Sequence, residues 1–167
     1  MGYGSYVVYK QYGYGLDCSR NIPSLGTALL HFLFFMFVEE VGFYYLHSSA
    51  ISSLYMHPLD YALVNLFPIM LGPILLHSHV VLSWMWYCFA VWATAISHCG
   101  YHLPFFLSNE AHDHHHMAFN ENYGEIGILD DWHGTNKTFA SSVKSQRDRI
   151  MFTTTPVKQM YPDKKKQ

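Results

Sequence analysis

The chain has 167 residues, room for one domain and little more, and half of it is apolar. Only 13% is charged, about half the usual share of a soluble domain, and the net charge is −2. These totals argue against a disordered chain, a coiled coil and a nucleic-acid binder. Three cysteines (Cys18, Cys88, Cys99) form no CxxC pair and cannot all pair with one another, which speaks against a disulfide scaffold and for a reducing environment. The basic residues are unevenly placed: none lies between Asn21 and Asn136, and eight of the ten sit at Lys137 or beyond. A soluble surface needs such side chains. A segment in lipid excludes them, since a cation at the bilayer centre costs about 2.5–3.5 kcal/mol on insertion scales.

Residues 1–21 are Tyr- and Gly-rich and read as an irregular leader, with neither a secretory signal nor a myristoylation pattern. Ile22-Pro23-Ser24 reads as a helix start. The apolar run Leu25 to Leu46 reaches the roughly 20 residues that cross a bilayer. Glu39 and Glu40 lie inside it and are expected to face protein or the aqueous boundary. Ala62 to Leu76 is shorter and contains Pro68 and Gly72-Pro73, so a kinked segment is predicted. After Leu76-His-Ser-His79, Val80 to Ile96 is again apolar, with Trp84, Trp86 and Trp92. The two together predict a helical hairpin in the membrane. Residues 140–167 form a basic, polar tail expected to be loosely ordered. The fold expected is all-α: membrane helices below a cytoplasmic, histidine-rich helical cap, with a membrane domain over 22–139. The positive-inside rule puts the tail and the adjoining histidines in the cytoplasm. There the glycosylation acceptor Asn136-Lys137-Thr138 would go unused. Lys164-Lys165-Lys166-Gln167 is similar to a dilysine retrieval signal of the endoplasmic reticulum.

Seven of the 12 histidines fall between residues 98 and 133. His98 and His102 form HxxxH, which on a helix puts both rings on one face. His112, His115 and His116 form HxxHH and share a helical face, with His114 and Asp113 pointing elsewhere. Neutral imidazole suits iron, zinc and copper. Five such rings exceed the four ligands of one tetrahedral zinc. His31, His77 and His79 have no partner spacing and read as satisfied core or surface. A histidine-rich metal transporter is the alternative, but it would place its ligands at mid-membrane.

The text around these residues resembles the fatty acid hydroxylase superfamily, close to the sterol 4-methyl oxidases and most like the fatty acid hydroxylase domain-containing proteins. The matching stretches are Ile96 to Pro104, His112 to Asn120, Tyr123 to Asp130 and His133-Gly-Thr135, with Glu39 to His47 and His57 to Asp60 upstream. The resemblance implies a membrane enzyme of the endoplasmic reticulum. Its histidine boxes hold two irons that use dioxygen to hydroxylate a sterol or fatty acyl chain, with electrons from a b-type cytochrome and its reductase. It implies His98, His102, His112, His115 and His116 as metal ligands, and His47 as the first residue of an earlier HxxxH. Position 51 is Ile, and no HxxHH stands between His47 and His98. Loss of a short segment around residues 48–50 accounts for this. The expectation is a chain that binds one iron or none tightly and hydroxylates poorly, or a non-catalytic family member. His57 and His133 carry no ligand spacing of their own.

Overall fold

The computed structural model describes residues 16–19, 21–49, 61–102, 109–148 and 153–162. Contacts divide the chain into two units, residues 1–90 and 91–167. Among the described residues the structure is helical, with isolated bridges at Asp17–His79 and His102–Thr153 in place of strands. Two helices are long and apolar enough to cross a membrane.

In the first unit, Ser24 starts helix α1 (Leu25–Ser49), its Oγ accepting from the Thr27 amide at 3.2 Å. Leu25, Leu29, Leu33 and Phe37, one helical turn apart, are each more than half exposed. Such a stripe suits lipid and would be costly in water. Phe35, Val38 and Glu40 are buried instead, Glu40 with 4% exposure. That carboxylate therefore faces protein, as expected for a charge in an apolar helix.

The second helical segment is irregular because of its prolines. A π-helical turn (Ala62–Leu66) precedes α2 (Phe67–Leu75). The Phe67 amide bonds the Ala62 carbonyl five residues back, just ahead of Pro68, which has no amide to offer. Pro73 lies inside α2 and denies a partner to the carbonyl four residues earlier, that of Ile69. Trp86 supplies it: its indole Nε1 donates to the Ile69 oxygen at 3.0 Å. Trp86 is fully buried, with Phe32 and Phe35 at 5.7 and 5.5 Å between ring centres. α1 and α2 meet where glycine permits it. A Cβ on Gly72 would stand 3.0 Å from the Phe35 backbone, and one on Gly42 would stand 2.8 Å from Pro68.

α2 ends in a tight reversal at His77, whose φ is +47°. His79 then opens α3 (Val80–Ser97). Its Nδ1 accepts from the Val81 amide at 3.2 Å and its Nε2 donates to the Ser19 carbonyl at 3.0 Å. Both ring nitrogens are used, and His31 pairs with buried Ser78 through Nδ1. These two act in packing, as their spacing suggested.

The second unit takes over within α3 at residue 91. It holds α4 (Asn109–Ala118), α5 (Ile128–His133), α6 (Lys137–Ala140), α7 (Val143–Asp148) and α8 (Val157–Met160). The described part of the tail, expected from its composition to be loosely ordered, contains two short helices, α7 and α8. Arg147 pairs through Nε with the buried Glu110 carboxylate and lies over the Tyr161 ring, 4.5 Å from its centre. Val157 is buried, and its amide donates to the Gly100 carbonyl at 3.0 Å. Arg147 and Val157 thus have partners in the second unit, which a composition average conceals.

The Trp86–Ile69 bond generates a test. Trp86→Phe keeps an aromatic ring but leaves the Ile69 carbonyl unsatisfied, at about 1–3 kcal/mol. Pro73→Ala restores an amide in helical register. Thermal unfolding in detergent should show a smaller loss from Trp86→Phe in the Pro73→Ala background than in the natural chain. Equal losses in both would mean the indole does not replace the missing helical donor.

Candidate metal centre

α3 stops at Ser97, where the Cys99 amide turns back to the Ile96 carbonyl and Gly100 takes a φ of +76°. This left-handed position suits glycine and ends the helix. HxxxH is therefore not helical, and the shared face that this spacing would give on a helix does not apply to His98 and His102. His98 sits exposed in the turn. His102 is 2% exposed, and its carbonyl accepts from the Thr153 amide at 3.0 Å.

HxxHH does lie on a helix, α4. His112 and His116, four apart, project toward His98. His112 Nε2 stands 3.0 Å from His98 Nε2 and 3.1 Å from His116 Nε2. The ligand atoms of these three residues all lie within 4.8 Å of one another, the one such group among the described residues. Two nitrogens each about 2.1 Å from one cation stand about 3.0–3.4 Å apart. The spacing and the donor set thus fit a transition metal. Burial pushes the His116 pKa down, as do the charges of His115 and His98, against a weaker upward pull from Asp113. A neutral ring is the form that ligates.

The remaining candidates are placed differently. His115 lies beside the group, its ring centre 5.6 Å from that of His116, and its Nδ1 donates to the Glu121 carbonyl at 2.8 Å. That bond leaves Nε2 as the ring's lone-pair nitrogen, the usual arrangement of a ligating histidine. His47, in the first unit, bonds the Phe43 carbonyl of its own helix at 3.0 Å and stacks on the Phe43 ring. His133 is exposed and stacks on Trp132. His57 lies outside the described residues.

α4 is rich in residues of modest helix propensity, so its position depends on what holds it. The chain reverses after it through Phe119 and Asn122, both at positive φ. The reversal delivers Glu121 to two neighbouring histidines. Its carbonyl takes His115, and its carboxylate takes buried His114 Nε2 at 3.1 Å. The same carboxylate accepts from Thr138 Oγ1 at 2.6 Å and from the Thr138 and Phe139 amides at the start of α6. Burial pushes the Glu121 pKa up, but these donors outweigh it and hold the carboxyl below its ordinary value. Asp130, 1% exposed, does similar work nearby, accepting from the Tyr123 and Gly124 amides and from Thr135 Oγ1. Neither carboxylate has a motif spacing. The only sequence signal for Asp130 was its place in the matched text from Tyr123, and Glu121 had none.

Comparison with known proteins follows the same residues. The family model for fatty acid hydroxylase matches residues 45–135. The chain belongs to the fatty acid hydroxylase family. It is 36% identical to human fatty acid hydroxylase domain-containing protein 2 over 170 residues, covering 89% of this chain and 51% of that protein. A fatty acid hydroxylase of Mycosarcoma maydis is 30% identical over 72% of this chain and 37% of its own length. Methylsterol monooxygenase 2-2 of Arabidopsis thaliana is 29% identical over 81% of this chain and 62% of its own length. The chain thus spans about half the length of the human relative. No solved structure matches it.

Glu121 offers a pH test. Its folded pKa is lowered, so its contribution to stability is present above the ordinary value of about 4.5 and is lost as pH falls through the folded value. Glu121→Gln should melt at lower temperature than the natural chain at pH 7, and the gap should close toward pH 3. Melting curves that stay parallel across this range would contradict the assignment.

Proposed function

We propose that this chain is a membrane-bound lipid hydroxylase of the sterol 4-methyl oxidase type, with iron held by His98, His112 and His116. The observation that carries the reading is the convergence of their three Nε2 atoms. Iron in such a site supplies the activation of dioxygen that hydroxylation of an aliphatic C–H bond requires, which acid–base side chains cannot provide.

The chain's own residues do the rest. Glu121 orients His115 as a further donor beside the three, and His102 and His47 are the other family positions. The Glu121 and Asp130 networks hold α4 against the histidine that follows α3. Because α3 leads directly into His98, an acyl chain or sterol in the bilayer has a short route to the histidines. Electrons from a b-type cytochrome and its reductase, placement in the endoplasmic reticulum, and cytoplasmic exposure of the boxes and C-terminus complete the reading. The sequence resemblance and the basic tail support it. The organisation that goes with it is a leader over 1–21, a hydroxylase-like membrane domain over 22–139 and a basic tail over 140–167.

A second reading is a family member that keeps the fold and performs no hydroxylation. The absence of an HxxHH between His47 and His98 favours it. A site of three converging imidazoles accommodates one cation more readily than two.

Elemental analysis of detergent-purified protein should find about one iron per chain, and His112→Ala should lower this at least tenfold at limiting metal. Two irons would overturn the single-metal expectation, and none would overturn the site. Product analysis of 4-methyl sterols and fatty acids supplied with cytochrome and reductase then separates the readings: hydroxylated product supports the first, and bound iron without product the second.

A further inference from the structure

The helix that carries His112 and His116 also carries one buried polar atom without a partner in the protein. Asn109, at the start of α4, is 2% exposed, and its Oδ1 has no hydrogen-bond partner. It is the single buried side-chain oxygen or nitrogen in that state among the described residues. Buried polar groups are almost always bonded, because the water they give up must be replaced. An orphaned acceptor therefore marks a donor still to arrive.

Its position says where that donor comes from. Residues 109, 112 and 116 fall at i, i+3 and i+7 of α4, so Asn109 shares the face that carries His112 and His116. Across from it, the place a Gly100 Cβ would occupy is 3.9 Å from Asn109 Nδ2. Gly100 is two residues past His98, in the turn that presents that ring. The Asn109 amide thus lies between the two elements that supply the three imidazoles. Glu110, its neighbour, is committed to Arg147 and faces the tail.

We propose that Asn109 is a positioning residue of the metal centre, its Oδ1 accepting a hydrogen bond from a water ligand of the cation held by His98, His112 and His116. The inference rests on the metal-site reading above. Three imidazoles, or four with His115, leave a position open on a cation of five or six ligands, and water takes such positions. A cation polarises its water and makes it a strong donor, which is what a lone amide oxygen needs. The ligand atoms of the histidines crowd together, and Asn109 Oδ1 is hydrogen-bonded to none of them, so a bridging water fits better than direct ligation. An outer acceptor of this kind commonly changes metal affinity 10–100-fold.

The test uses the full chain in detergent with cobalt(II) as a spectroscopic probe, comparing the natural protein with Asn109→Leu, Asn109→Asp and His112→Ala. Asn109→Leu keeps the side-chain size and removes the orphaned acceptor. It should raise the melting temperature of the metal-free protein, weaken cobalt binding 10–100-fold and shift the visible ligand-field bands. Asn109→Asp keeps an acceptor and should bind cobalt within a few-fold of the natural chain. Asn109→Ala, which adds no bulk, carries the same affinity expectation if the leucine variant misfolds. Natural affinity and unchanged bands in Asn109→Leu or Asn109→Ala would overturn the proposal while leaving the site intact. Failure of the natural protein to bind cobalt, or binding undiminished in His112→Ala, would overturn the metal-site reading itself and this proposal with it.

Discussion

Glu121 holds α4, the helix that carries two of the three converging imidazoles, from behind. Isolated, a helix of ten residues with four histidines would be marginal in water. Here one residue bonds two consecutive histidines, His115 through its carbonyl and His114 through its carboxylate. The same carboxylate reaches the start of α6. The two faces of α4 are thereby given different tasks. His114 faces inward and anchors the helix, while His112 and His116 meet His98. Asp130 tightens the connecting loop, and Arg147 fastens the first turn of α4 through Glu110.

The first unit follows a different physics. Its apolar stripe suits lipid, so packing there must come from close approach and satisfied backbone groups. Gly42 and Gly72 allow helix contact, and Trp86 repairs the hydrogen bond that Pro73 removes. A tryptophan placed for its indole donor, at a carbonyl freed by a proline one helix away, is a tertiary device. It does not show in hydropathy.

Membership of the fatty acid hydroxylase family agrees with this division between an apolar scaffold and a histidine-bearing unit. The relatives' names speak of fatty acid hydroxylation and methylsterol oxidation, and the chain covers about half of the human relative. The site geometry, with three converging rings and one adjacent, is read from this chain's own residues.

The sequence by itself determined the apolar helices, because exclusion of charge over a long run is a matter of solvent and needs no partner. It determined the family, because several separate stretches matched, and it marked HxxHH as helical, since spacing of three and four has one geometric meaning on a helix. It could not decide HxxxH. Four-residue spacing is satisfied by a helix or by a turn, and Gly100 with its positive φ made it a turn. Nor could it separate His114 from His115, assign Glu121 and Asp130 their bonds, or order the tail through Arg147 and Val157. Those outcomes depend on which donors and acceptors meet after the chain reverses, and only the tertiary structure decided that.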